Sequence, residues 1–128
     1  MLSDYPIVAA LPASDIGRAR KFYEETLGLK PDPGAGDEEA VFPCADGTAL
    51  FVYRSSFAGT NQATAAAWRV PDLRSVVDQL RSKGVTFHEY DLPGLKTENG
   101  IAVQADGTQA AWFSDTEGNI LALDQLAG

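Results

Sequence analysis

Residues 14–29 read SDIGRARKFYEETLGL, and residues 71–84 read PDLRSVVDQLRSKG. In the first stretch Ile16, Ala19, Phe22, Tyr23 and Leu27 recur at the spacing that lines up side chains on one helix face. Ser14 or Asp15 stands where an N-cap is wanted, and Gly28 where a helix ends in the left-handed conformation. The second stretch is built the same way, with Leu73, Val76, Val77 and Leu80 on one face, Asp72 as cap and Gly84 as stop. Both predict amphipathic helices that cover one side of a sheet.

Strands are predicted on either side of each helix. PIVAAL at 6–11 precedes the first helix. After the Pro- and Gly-rich loop PDPGAGDEE at 31–39 come AVFPC at 40–44 and ALFVYR at 49–54, joined through Asp46-Gly47. ATAAAWRV at 63–70 precedes the second helix, and VTFHEYD at 85–91 follows it in extended form. A loop at 92–100 then leads to IAVQ, a second Asp-Gly turn at Asp106-Gly107, AAWFSD, a TEGN turn and ILALDQL. The tetrapeptide ADGT thus occurs at 45–48 and again at 105–108. With the two helix caps in step, the repeat predicts a duplicated β-α-β-β-β unit, one module at about 5–58 and the other at about 63–126, within a single domain.

Composition narrows the function. A net charge of −8 with scattered Lys and Arg disfavours nucleic acid and anionic membranes as partners. The opening residues have Asp4 where a secretory signal carries basic residues, and a lone Cys44 cannot form an internal disulfide, so the cytoplasm is the expected location.

DIGRARKFYEETLGL, with its F-Y-x-x-x-L-G ending, and AAWFSDTEGNILAL, with F-x-D-x-x-G-N-x-L-x-L, together resemble the vicinal oxygen chelate superfamily, which includes glyoxalase I, bleomycin-resistance proteins and extradiol dioxygenases. The resemblance spans nearly the whole chain. It implies an α+β fold in which two tandem modules form a curved, barrel-like mixed sheet around a cleft, and it implies a homodimer. In the metalloenzymes of that superfamily the first and last strands of each module supply His, Glu or Gln to one divalent ion. Those positions fall here at Val8, near Leu50, at Ala65 and at Ala122, none of which can bind a metal. Slips of two residues, which keep a side chain on its face, offer only Asp124 as a credible donor among Pro6, Ala10, Thr48, Val52, Ala63, Ala67 and Ile120. One carboxylate is too few for a catalytic site, so no metal and no other cofactor is expected.

Other chemistries have little to build on. GxSxG, GxxxxGK and GxGxxG are absent. His88 is the sole histidine; alternation puts it with Thr86 and Tyr90 on one strand face, where it is either a surface residue or a cleft acid or base. Cys44 adjoins no Lys, Arg or His and reads as a small buried residue.

What remains is a cleft of small and apolar residues. If Ala122 faces it, so do Ile120 and Asp124, and the same alternation adds Ala67, Arg69, Trp112 and Ser114, with Val8, Leu50 and Val52 from the first module. Trp112 supplies a stacking wall and Arg69 an orienting charge. The 91–100 segment, with Lys96 at its centre, is a candidate lid; His88, Tyr90, Tyr53 and Arg54 are candidates for the rim. The expected function is metal-free binding of a bulky, partly apolar small molecule. The alternatives are a lyase or isomerase that uses His88, Tyr90 or Asp124 as acid or base, with or without a divalent metal, and a purely structural dimer module.

Overall fold

Both helices lie on one side of two sheets. β1 (Val8–Ala13) leads into α1 (Ile16–Lys21), which starts where the Asp15 side chain accepts the Arg18 N–H at 3.0 Å. The last turn of this helix widens to a π turn over Phe22–Thr26, where the Leu27 N–H reaches back to the Phe22 carbonyl at 3.1 Å, and Gly28 ends it at φ 73°. The computed structural model describes residues 1–34 and 36–128, so of the predicted 31–39 loop only Ala35 lies outside the described residues. β2 (Glu39–Pro43) and β3 (Ala49–Arg54) complete a sheet of order β1-β3-β2.

The second half has β4 (Thr64–Arg69), α2 (Leu73–Ser82), a small hairpin of β5 (Asp91–Leu92) and β6 (Leu95–Lys96), then β7 (Ala102–Val103), β8 (Gln109–Ser114) and β9 (Ile120–Gln125). Asp72 caps α2 by accepting the Ser75 N–H at 3.2 Å, and Gly84 follows it at φ 93°. The sheet order is β4-β9-β8-β7. The fold is α+β with mixed sheets, as expected. The sheets are not closed into a full barrel: β1 and β4 adjoin, but no hydrogen-bonded ladder joins the two sheets among the described residues.

Pairing also corrects the repeat. In each module the first strand runs parallel to the last, β1 with β3 and β4 with β9, so the ADGT turn between β2 and β3 corresponds to the TEGN turn between β8 and β9. The second ADGT joins β7 to β8. The two copies even fold differently. Asp46 and Gly47 both take positive φ, 57° and 76°, whereas in the second only Gly107 does, at 90°. There the Gly107 N–H bonds to the Gln104 carbonyl at 2.9 Å and the Asp106 carboxylate accepts the Thr108 N–H at 2.9 Å. Asp-Gly suits any tight turn, so it recurs without marking equivalent places.

The core lies between the helices and the sheets. Ile16, Ala19 and Tyr23 meet Leu11, Ala13, Phe42, Leu50 and Val52, while Leu73, Val77 and Leu80 meet Phe113, Leu121 and Leu123. Tyr23 has no exposed surface; its ring lies 5.7 Å from that of Phe42 and its hydroxyl donates to Asp115 at 2.5 Å.

That last bond belongs to the junction between modules. The turn from Asp115 to Asn119 sits on the β1–α1 corner. Asp115 accepts the N–H groups of Glu117 and Asn119, each at 2.8 Å, and Asn119 donates to the Pro12 carbonyl at 2.9 Å. Glu117 is buried and accepts the Ser14 and Asp15 N–H groups, both at 3.0 Å, and the Arg18 Nε at 2.7 Å. Ser14, the other predicted cap, therefore serves this carboxylate. Burial on its own raises the Glu117 carboxyl; Arg18, the Asp15 N–H and the Thr116 hydroxyl outweigh it and hold the group at about 2, below its ordinary 4.5. Burial, with the Asp115 charge beside it, pushes the Tyr23 hydroxyl up. Beneath the turn Gly59, in the linker between modules, passes Gly118 so closely that a Cβ on Gly118 would lie 2.8 Å from the Gly59 Cα.

A carboxyl depressed by folding stabilises fully above 4.5, and that contribution is lost as pH falls toward about 2. Glu117→Gln, measured by urea unfolding, is expected to cost about 3 kcal/mol at neutral pH and to flatten the stability–pH curve across that acid window. Gly118→Ala adds a side chain at φ +84° against backbone, and is expected to cost about 2 kcal/mol or more in the same assay.

Candidate functional site

The face of each sheet turned away from the helices is open, and strand alternation decides what it displays. On the four-stranded sheet three successive rungs carry the residues singled out from sequence. Thr64, Ile120 and Ser114 form one, Ala67, Ala122 and Trp112 the next, and Arg69, Asp124 and Ala110 the third. The bulge between Thr64 and Ala66 puts Ala65 out of this alternation.

On the three-stranded sheet the expected parity fails. Leu50 and Val52, expected to face the cleft, are 2% and 1% exposed and point into the core under α1. The reason is the register with β1: Val8, Ala10 and Pro12 stand opposite Ala49, Phe51 and Tyr53, so the odd-numbered residues of β3 share the outward face of Val8. Phe51 and Tyr53 occupy the open face instead, their rings stacked 5.7 Å apart, beside Ala10 and Pro12 of β1. Leu50, though nearly covered, still adjoins a groove of about 670 Å³ between β1 and β4, which Val8, Ala67, Arg69 and Cys44 also line. Val8 is 52% exposed there, and Cys44 is half-buried with its Sγ 3.5 Å from the Phe42 carbonyl.

Trp112 is fixed at both ends. Its Nε1 donates to the Thr64 hydroxyl at 3.2 Å, and the Tyr90 ring stands edge-on to it at 5.5 Å. Arg69 and Asp124 form a two-pronged pair, Nε to Oδ1 at 3.0 Å and a terminal nitrogen to Oδ2 at 3.1 Å. Arg54 pairs with Glu38 at 3.5 Å, and Lys96 is exposed on the β5–β6 hairpin.

His88 is held beside β8. Its N–H donates to the Trp112 carbonyl at 2.8 Å, and the preceding Phe87 is buried and bridged to Phe113. Behind it the Arg81 guanidinium lies over the Phe87 ring and Gly100 fits against it where no side chain could. The Thr97 hydroxyl accepts the Tyr90 N–H at 2.8 Å. The imidazole sits between two hydroxyls, Nε2 at 2.9 Å from Ser114 Oγ and Nδ1 at 2.9 Å from Tyr90 Oη. Sequence alternation put His88 and Tyr90 on one face; that Ser114 meets them depends on how residues 87–88 pair with β8.

The ligand set of the metalloenzymes is not reproduced. Val8, Phe51, Ala67 and Ala122, one open-face residue from each of the four strands concerned, have no donor atoms, and among the described residues no three His, Cys, Asp or Glu are grouped to hold an ion.

The Glyoxalase/Bleomycin resistance protein/Dioxygenase superfamily model matches residues 7–123, and the chain belongs to that family. No curated protein sequence matches it. Among solved structures it is similar to a bleomycin resistance determinant encoded on the transposon Tn5, at 20% identity and a TM-score of 0.72 over 95% of this chain and 98% of that one. It is similar to TnmS3, an antibiotic binding protein from a Streptomyces species, at 22% identity and a TM-score of 0.66 over 94% and 93%. A lactoylglutathione lyase from Agrobacterium tumefaciens shares 15% identity and a TM-score of 0.68 over 93% and 91%. At these identities the likeness concerns the fold.

Because the Arg69–Asp124 pair is largely exposed on the Arg69 side, Asp124→Asn is expected to change stability by less than about 1 kcal/mol in chemical denaturation.

Proposed function

We propose that this protein binds a bulky, partly apolar small molecule, without a metal, in a cleft lined by the open faces of its sheets. The observation that carries the reading is the fixed Trp112 indole, set among Ala67, Ala122 and Ile120, on a face where the family's metal positions hold hydrocarbon. A planar group stacks on such a wall at low entropic cost, because the indole is already held by Thr64 and Tyr90. Arg69 and Asp124, one rung away, orient polar or charged substituents. The net charge of −8 favours approach of a cationic ligand. Likeness in fold to a bleomycin resistance determinant and to an antibiotic binding protein supports a sequestering or carrying role.

The cleft is completed by a second copy of the chain. The stacked Phe51 and Tyr53, with Val8 half in solvent, form an apolar face that a partner's Trp112 face would cover. The β5–β6 hairpin with Lys96, packed next to the edge strand β7, serves as its lid. A second reading, acid–base chemistry of the lyase or isomerase kind, draws support from His88 lying between two hydroxyls; Asp124 serves it less well, since both its oxygens are engaged by Arg69.

Trp112→Phe is expected to weaken binding of a polycyclic aromatic cation by about tenfold and to remove most of the ligand-induced quenching of tryptophan fluorescence, leaving that of Trp68, which is half-buried against the core. Elemental analysis of the purified protein is expected to find no stoichiometric divalent ion. Bound zinc or nickel in one-to-one ratio, or unchanged affinity in the variant, would overturn the reading.

A further inference from the structure

We propose that Ser114, His88 and Tyr90 form a nucleophile, base and orienting group that cleave small carboxylic esters. Nothing in this inference requires the stacking ligand of the preceding reading. It starts from two hydrogen bonds on one imidazole, 2.9 Å to Ser114 Oγ on one side and 2.9 Å to Tyr90 Oη on the other. A serine hydroxyl is a weak nucleophile alone; a base within hydrogen-bond reach, itself oriented by a third group, is the arrangement that activates it.

The ring is fixed for this role. With the proton on Nδ1 donated to Tyr90 Oη, the Nε2 lone pair faces the Ser114 hydroxyl and accepts its proton. Tyr90 is held in turn by Thr97 at its N–H and by the Trp112 ring. Ser114 is exposed, so an ester can reach it, and Ser114 and His88 line a groove of about 520 Å³ together with Phe22, Lys83, Thr86 and Thr116. The Thr116 hydroxyl is committed to Glu117 at 2.9 Å. That leaves the Lys83 ammonium and the Thr86 hydroxyl to face the oxyanion as it forms. The Phe22 ring gives an apolar wall for the acyl or alcohol group, and the groove volume admits an ester of drug-like size or smaller.

The steps balance with water as the second reactant. Ser114 Oγ forms a bond to the ester carbonyl carbon and its proton passes to His88 Nε2. The carbon–alkoxide bond breaks, and the alcohol leaves with that proton. Water then attacks the acyl carbon and gives one proton to Nε2; the bond between the acyl carbon and Ser114 Oγ breaks, Oγ takes that proton from Nε2, and the acid departs. Tyr90 is a positioning residue and stays protonated throughout.

The test uses the intact protein with para-nitrophenyl acetate, followed by peptide mass spectrometry, and in parallel a fluorophosphonate probe. The expected result is nitrophenolate release with acetyl and phosphonyl groups on the peptide carrying Ser114. Ser114→Ala is expected to abolish both labels, and His88→Gln to lower the rate about a hundredfold. Tyr90→Phe, which keeps the ring against Trp112, is expected to lower kcat about tenfold with KM unchanged. Melting temperatures and binding of the aromatic cation are measured on each variant, so a misfolded protein or a failed binding reading is seen separately from a failed relay. Absence of ester cleavage above that of Ser114→Ala, or acetyl found on Lys83 or a tyrosine in place of Ser114, would overturn the proposal. So would a Tyr90→Phe variant with kcat unchanged.

Discussion

A buried carboxylate in a five-residue turn holds the two modules together. Glu117 takes the Ser14 and Asp15 N–H groups at the start of α1 and the guanidinium of Arg18. Such a charge is tolerable in the interior only because every partner is in place. Asp115 and Asn119 on either side, and the near-contact of Gly118 with Gly59, make the turn a rigid plug. The residues that carried the family resemblance, F-x-D-x-x-G-N, are therefore the ones that set how one sheet sits against the other. Both open faces, and whatever they bind, inherit their geometry from this contact.

The two faces differ in kind. The four-stranded sheet offers an indole, an imidazole, hydroxyls and an ion pair, arranged rung by rung. The three-stranded sheet offers Phe51, Tyr53 and short aliphatic side chains. One surface can orient a molecule and the other can exclude water from it, which is the division of labour a polar-tipped, largely apolar ligand requires.

Local signals in the sequence suffice where the physics is local. Helix caps at Asp15 and Asp72, stops at Gly28 and Gly84, and the facing of Trp112, Ser114, Ile120, Ala122 and Asp124 follow from spacing and alternation. The facing of β3 does not, because it depends on which residue of β3 stands opposite Val8 of β1, and a register change of one residue inverts the strand. The ADGT repeat misled for a related reason: turn chemistry is reused wherever a turn is needed. Nothing local in the sequence distinguishes Glu117 from a solvated acid in a turn, since its burial depends on residues about a hundred positions earlier. The contact of Ser114 with His88 was equally out of reach, since it rests on how a short extended segment meets the edge of β8.

The span of the Glu117 contacts has a consequence for biosynthesis. Ser14 and Asp15 offer their N–H groups to a side chain 103 and 102 residues downstream. On the ribosome, α1 and its sheet emerge while the acceptor is still unmade, so the leading half must wait with an incomplete corner until translation reaches the final hairpin. Truncated nascent chains would leave Arg18 and the helix start bare, and such fragments present themselves to chaperones and proteases as unfinished.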